Sequence, residues 1–324
     1  MASDGGLCHV VQEDRSEHFA LTKETAERLL SSGGFFWLDL DRPSADDYTV
    51  LGDVFAFHPL ALQSSQRFDQ RAKIDEYDDA VFMVVYGAAP DEDRLVEVHC
   101  FYSERFLVTL HRDDAPAFTA LRERYEQRDE AIEAPPLLLY RIVSALVDSF
   151  FPILSEFDDQ IDDLEDRLFK NPAEQESQEI FELKRRLVGL RKAVAPERDM
   201  FASLTVGTLS LPGATADHER YFRDIYDHLI RISDFIDTYR DLLTSSMDVF
   251  LSTVSNRLNV VMKQLTVIAT VFLPLTFITG FFGQNFGWLV LHVRGWGSFA
   301  LFGLATEIAV VVVMLAFFRR RGWF

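Results

Sequence analysis

The sequence predicts an α+β cytoplasmic domain, then a long stalk helix, then a two-span α-helical membrane hairpin. Three observations predict it. Leu265 to Phe282 carries no charge and Ser298 to Phe318 carries one, Glu307; each approaches the roughly 20 apolar residues a helix needs to cross a bilayer. Upstream, an apolar seam repeats at helical spacing from Ile225 to Leu265, with no proline or glycine between Glu219 and Phe272. Residues 1–130 instead alternate short β-rich runs with helical ones.

The start, MASDGGLCHVVQEDRSEHF, lacks the basic and apolar regions of a secretory signal, so the soluble part is expected in the cytosol. Cys8 and Cys100 have neither metal-ligand nor redox spacing and read as free thiols. Phe35 to Leu40 reads as a strand stopped by Asp41-Arg42-Pro43, and Asp46 to Phe57 as a helix, with Pro59 ending it or starting the next. Ala80 to Tyr86 is β-rich, and Glu97 to His111 forms a hairpin turning near Ser103-Glu104-Arg105. Ala115 to Ala131 is expected to be a helix broken by Pro135-Pro136.

From Leu137 the pattern is helical. Ile153, Phe157, Ile161, Leu164 and Leu168 line one face of a helix whose other face is acidic, from Glu156 through Asp158, Asp159, Asp162, Asp163 and Glu165 to Asp166. That face either concentrates cations and attracts the basic tail or is simply solvated. Asn171-Pro172 is a break, Ile180 to Met200 a second helix, and Leu211-Pro212-Gly213 a turn. The seam then runs through Ile225, Leu229, Ile232, Ile236, Tyr239, Leu243, Met247, Phe250, Val254, Leu258, Val261 and Leu265, predicting one helix over 219–282. Such a rod, roughly 95 Å long, needs partners along its seam. The resulting segmentation is 1–135 α/β domain, 136–218 acidic helical region, 219–264 stalk, 265–282 first span, 283–297 outer loop, 298–318 second span and 319–324 basic tail.

Charge divides sharply: residues 1–256 carry −24 and residues 257–324 carry +5. The acidic body argues against nucleic acid, which needs a basic footprint, and suits cations. Arg257 and Lys263 before the first span, with Arg319, Arg320 and Arg321 after the second, place both ends in the cytoplasm by the positive-inside rule. Trp288, Trp296 and Trp323 fit interfacial anchors in a multi-pass protein of the plasma (inner) membrane. Two spans enclose no pathway alone, so a symmetric oligomer is expected. No phosphate-binding glycine loop, HExxH or nucleophile motif is present, so no enzyme is expected.

Leu251 to Asn285, with YFRDIYDH at Tyr221 to His228, Leu146 to Phe169 and His58-Pro59-Leu60, resembles the CorA-type divalent-cation transporter family. The match is strong over about residues 140–324. The resemblance implies a homopentameric funnel taking up magnesium, with cobalt or nickel as further cargo, and no resident cofactor. The first span would line the pore. Gly283, Gln284 and Asn285 would form the selectivity filter; a helix C-cap is the competing reading of Gly and Asn there. The family's signature is Gly-Met-Asn, so Gln284 is a departure, and the outer turn lacks the acids that members often carry. Asn259, Met262, Leu265, Thr266, Ala269, Leu273 and Thr276 would face the pore, with Met262 and Leu265 as an apolar gate; ordinary bundle packing is the alternative. Asp224 matches a regulatory cation site, with Asp91, Glu92 and Asp93 as candidate partners. A zinc transporter coupled to protons is the alternative cargo reading, and a non-conducting cation sensor or scaffold the alternative class.

Overall fold

The computed structural model describes residues 7–12, 15–77, 79–89, 94–114, 116–126, 134–170, 174–284, 286–292 and 295–323. They form two compact units, divided after Ser246.

In the first unit, strands β1 (Leu7–Gln12), β2 (Arg15–Phe19), β3 (Phe36–Asp41), β4 (Lys73–Tyr77), β5 (Ala80–Ala89), β6 (Arg94–Tyr102) and β7 (Phe106–His111) make one sheet. Its order is β2-β1-β3-β7-β6-β5-β4. Among the described strands, β3 and β7 alone pair in parallel. These central strands are buried on both faces, as expected where helices cover a sheet. Helices α1 (Lys23–Ser31), α2 (Ala45–Asp53) and α3 (Pro59–Ser65) join strands, and α4 (Pro116–Glu126) follows the last of them. Capping boxes at Thr22 and Ser44 start α1 and α2, and Pro59 starts α3 rather than ending α2.

A charged network lies between β3, β7 and α4, with Asp39, Thr109 and His111 buried and Arg122 partly exposed. Asp39 accepts from Thr109 Oγ1 at 2.6 Å, pairs with Arg122, and lies 3.4 Å from His111 Nε2. Burial pushes Asp39 up and His111 down. Their mutual contacts, with Arg122 and Thr109, outweigh it, so the Asp39 carboxyl is held below its usual range and the His111 imidazole above.

Helix α5 (Pro135–Asp148) begins at the two prolines that the sequence marked as a break. A proline at the first helical position lacks only an N–H that would have no partner. Helices α6 (Phe150–Lys170) and α7 (Glu174–Thr205) follow. β4 pairs with β5 only as far as Val84. Beyond it, the Tyr86 N–H donates to Glu197 of α7 at 3.3 Å and the Ala88 N–H to Ser149 Oγ at 2.7 Å. Helical side chains thus satisfy a sheet edge that would otherwise be orphaned. Between those two residues, a Cβ on Gly87 would sit 2.7 Å from Leu146, so glycine permits the close approach of α5.

Helix α8 (Ala216–Phe282) is one 67-residue helix, entered through a turn in which Gly213 adopts a φ of 69°. Up to Ser246 its seam is buried. Arg191 of α7 pairs with Asp237, and Ser246 Oγ donates to Glu165 of α6 at 3.1 Å.

Among the described residues, three helical runs are long and apolar enough to cross a membrane: 135–170, α8, and the last helix, 296–320. The first is half buried within the protein and supplies core residues such as Leu139, Ile142 and Phe150. In the second unit α8 continues to Phe282. The loop predicted over 283–297 holds a short helix, α9 (Gly287–His292), and the final helix, α10 (Trp296–Arg320), contains a π-helical turn at Phe299–Leu304.

Candidate functional site

The C-terminal end of α8 is built on one close contact. Gly283 N–H donates to Thr279 O at 2.9 Å, and a Cβ on Gly283 would lie 3.0 Å from that same oxygen. Any other residue would push against the carbonyl that closes the helix. Gln284 N–H donates to Phe281 O at 3.3 Å, and its side chain is exposed. Asn285 lies outside the described residues, so the structure brings together two of the three predicted filter positions.

Asn259, Met262, Thr266, Ala269, Leu273 and Thr276 recur at three- and four-residue spacing and share one face of α8; Leu265 lies beside Met262. All are exposed within the second unit. Thr266 Oγ1 donates to Met262 O at 2.7 Å, and Thr276 Oγ1 to Phe272 O at 2.8 Å. The hydroxyl hydrogens are therefore spent on the helix itself, and only oxygen lone pairs face outward. A pathway on this face offers a cation neutral acceptors and apolar side chains.

Glu307, the lone acid after residue 256, has a partner that sequence reasoning missed. Thr279 Oγ1 lies 3.1 Å from Glu307 Oε1, joining α8 to α10. At the other end of α10, Arg319 and Arg320 close the last turn and Arg321 caps it. Gly322, with a φ of 69°, then reverses the chain: Gly322 N–H donates to Arg319 O and Trp323 N–H to Phe318 O, a Schellman cap with the Trp323 ring packed on Phe318. Lys263 Nζ donates to Gly322 O at 3.3 Å and sits over the Trp323 ring. The basic tail is thus folded onto α8 one residue past Met262.

Asp224 lies on α8 in a cluster with three residues the sequence reading did not select, Tyr140, Asp148 and His228. His228 Nδ1 is 2.9 Å from Asp148 Oδ1, and its Nε2 is 3.9 Å from Asp224 Oδ1. Tyr140 OH donates to Asp224 at 2.9 Å; burial first, then Asp224, holds the phenol above its usual range. Asp148 and His228 are 80 residues apart in sequence, so no local spacing reveals the pair. Asp91, Glu92 and Asp93 lie outside the described residues. Among the described residues no group of three His, Cys, Asp or Glu side chains is arranged to hold a metal ion. A cation here would need donors beyond Asp148, Asp224 and His228.

On the acidic face of α6, Glu156, Asp158, Asp159, Asp162, Asp163 and Asp166 are exposed. Two of them have local partners: Gln160 donates to Glu156 and Lys170 pairs with Asp166. Tyr239 of α8 is pushed up to about 12, by burial first and then by Asp158 and its neighbours.

The family described as CorA-like Mg2+ transporter protein matches the chain over residues 32–320. The chain is 35% identical over 279 residues to the cobalt/magnesium transport protein CorA of Thermotoga maritima, covering 84% of this chain and 78% of that one. It is 26% identical over 286 residues to the zinc transport protein ZntB of Yersinia enterocolitica, covering 86% and 84%. Among solved structures, the complete CorA magnesium transporter from Methanocaldococcus jannaschii matches the whole of both chains with a TM-score of 0.84 at 24% identity, a likeness of fold.

Proposed function

Because the chain belongs to the CorA-like Mg2+ transporter family, whose members carry divalent cations, we propose that five copies surround one axis in the inner membrane and pass Mg2+ into the cytosol down its electrochemical gradient. The observation that carries this reading is α8. Its most apolar stretch has nothing buried within the chain, yet one face repeats Asn259, Thr266 and Thr276. Copies of that face around an axis make a route; lipid alone does not satisfy it.

Mg2+ is small and releases its water reluctantly. Neutral oxygens from Asn285, Gln284 and the backbone at Gly283 recognise the hydrated ion at the outer mouth. Met262 and Leu265 close the route by dewetting, and Leu273 narrows it. Both chain ends lie in the cytoplasm, with Arg319, Arg320 and Arg321 at the inner surface.

Cytosolic divalent cation regulates the route at Asp224, with Asp148 and His228 beside it and the remaining donors from Asp91, Glu92 and Asp93 of a neighbouring copy. Bound cation holds the closed ring, and its loss leaves carboxylates that repel. Magnesium-dependent protection from proteolysis is expected in the wild type and absent in Asp224→Ala. Protection unchanged by that substitution contradicts the regulatory assignment.

A second cargo reading rests on Gln284, which stands where the family signature has methionine, and on the likeness to ZntB. Flux into liposomes separates the two, using Mg2+, Zn2+, Co2+ and Ni2+ with and without a proton gradient. Saturable Mg2+ uptake independent of the gradient is expected. Zinc-only, proton-dependent uptake establishes the second reading, and no flux of any ion leaves a non-conducting sensor.

A further inference from the structure

We infer that Glu307 is a positioning residue for the outer filter and acts through the Thr279 hydroxyl. The inference rests on the reading of residues 283–285 as the ion-recognising mouth, and it extends that reading to α10.

An acid on a membrane-crossing helix is costly and is retained where it has a partner or a role. Here the partner is specific. Thr279 is the residue over which the Gly283 turn closes: its carbonyl accepts the Gly283 N–H at 2.9 Å and would lie only 3.0 Å from a Cβ there. Its hydroxyl lies 2.6 Å from Leu275 O on its own helix and 3.1 Å from Glu307 Oε1 on α10. A threonine hydroxyl has one hydrogen, so the helix carbonyl and the glutamate oxygen compete for it. Thr266 and Thr276 instead each donate to a carbonyl of their own helix. Thr279 is therefore where α10 takes hold of the last turn of α8.

The placement of Glu307 is itself built. The π-helical turn at Phe299–Leu304 ends three residues before it. Such a turn shifts the angular phase of everything that follows, and such turns recur at functional sites. Removing that shift would rotate Glu307 away from Thr279. Fixing Thr279 fixes Gly283 and the carbonyls beside it, whose separation sets how well a hydrated cation of a given size is matched.

The test compares Mg2+ uptake by purified full-length variants in liposomes, with assembly checked by size. Thr279→Val and Glu307→Leu are each expected to raise KM for Mg2+ about three- to tenfold, the equivalent of one lost hydrogen bond, with Vmax moved less. The double variant is expected to be no worse than either single one. Thr279→Ser and Glu307→Gln, which keep a hydroxyl and an acceptor, restore the wild-type KM. Additive effects, or a Glu307→Gln as damaged as Glu307→Leu, overturn the inference, the latter by assigning the role to charge. Asn285→Ala is the control for the underlying reading. If it leaves Mg2+ uptake intact, the mouth itself is misplaced; if it impairs uptake while Thr279→Val and Glu307→Leu keep wild-type KM, only the role of Glu307 fails.

Discussion

The two halves of α8 follow the same apolar rhythm and meet opposite fates. Between Phe222 and Ser246 the seam is buried, with Leu229, Ile232 and Leu243 fully covered. From Met247 onward the rhythm continues, but Leu258, Met262, Leu265 and Leu273 are all more than half exposed. The difference lies on the other faces. The first half carries Asp224, Asp227, Asp234, Asp237, Arg240 and Asp241 away from its seam, as a helix on a water-facing domain should. Beyond Lys263 no charge remains until the helix ends, and Ile268, Phe272 and Phe277 project on further faces. An apolar period says that a helix needs cover. The opposite face says whether that cover is the chain itself or a bilayer and further copies.

The largest expected effect separates the halves by stability. Leu243→Ala should cost about 2–5 kcal/mol, read as a lower urea midpoint for the purified full-length protein. Leu258→Ala, on the exposed half, should leave that midpoint nearly unchanged and act on assembly instead. Equal losses at both positions would break the contrast.

The second effect belongs to the buried helices that cover the first half. Glu197 is fully buried, and burial raises its carboxyl well above the usual range against the opposing Tyr86 N–H. The folded state thus keeps a proton that the unfolded chain releases above about pH 4.5. Stability falls as pH rises from there towards the folded value. Glu197→Gln removes that slope. It should gain about 1–3 kcal/mol near neutral pH and little near pH 4; a gain independent of pH would sink the assignment.

The smallest effect concerns the end of the second unit. Gly322→Ala places a Cβ on a left-handed residue and should cost about 1 kcal/mol. Only the tail cap is expected to feel it, with hydrogen exchange at the Trp323 amide faster by about fivefold. Wild-type protection would show that the cap does not depend on the glycine.

Much of this was legible because it is local. The seam of α8, the hairpin of β6 and β7, and the two apolar stretches near the C-terminus are written in residues a few positions apart. β1 and β2 escaped notice because LCHVVQ and RSEHF are short, and β2 at the sheet edge is mostly polar. Pro135-Pro136 read as a break because a proline that ends one helix and a proline that starts the next look alike in sequence. The pairs Asp148–His228 and Thr279–Glu307 are 80 and 28 residues apart, and only the packing of separate helices brings them together.

The central claim is that one face of the exposed half of α8 is wet while the opposite face meets lipid or protein. Labelling with a water-soluble thiol reagent reads this directly. Cys8 and Cys100 are fully buried and their thiols are held above the usual range by burial, so the background is silent. In liposomes, Ala269→Cys and Thr276→Cys should label readily and be slowed by Mg2+, while Val271→Cys and Ile278→Cys, half a turn away, should not react. Uniform labelling, or none on either face, would contradict a hydrated axis lined by α8.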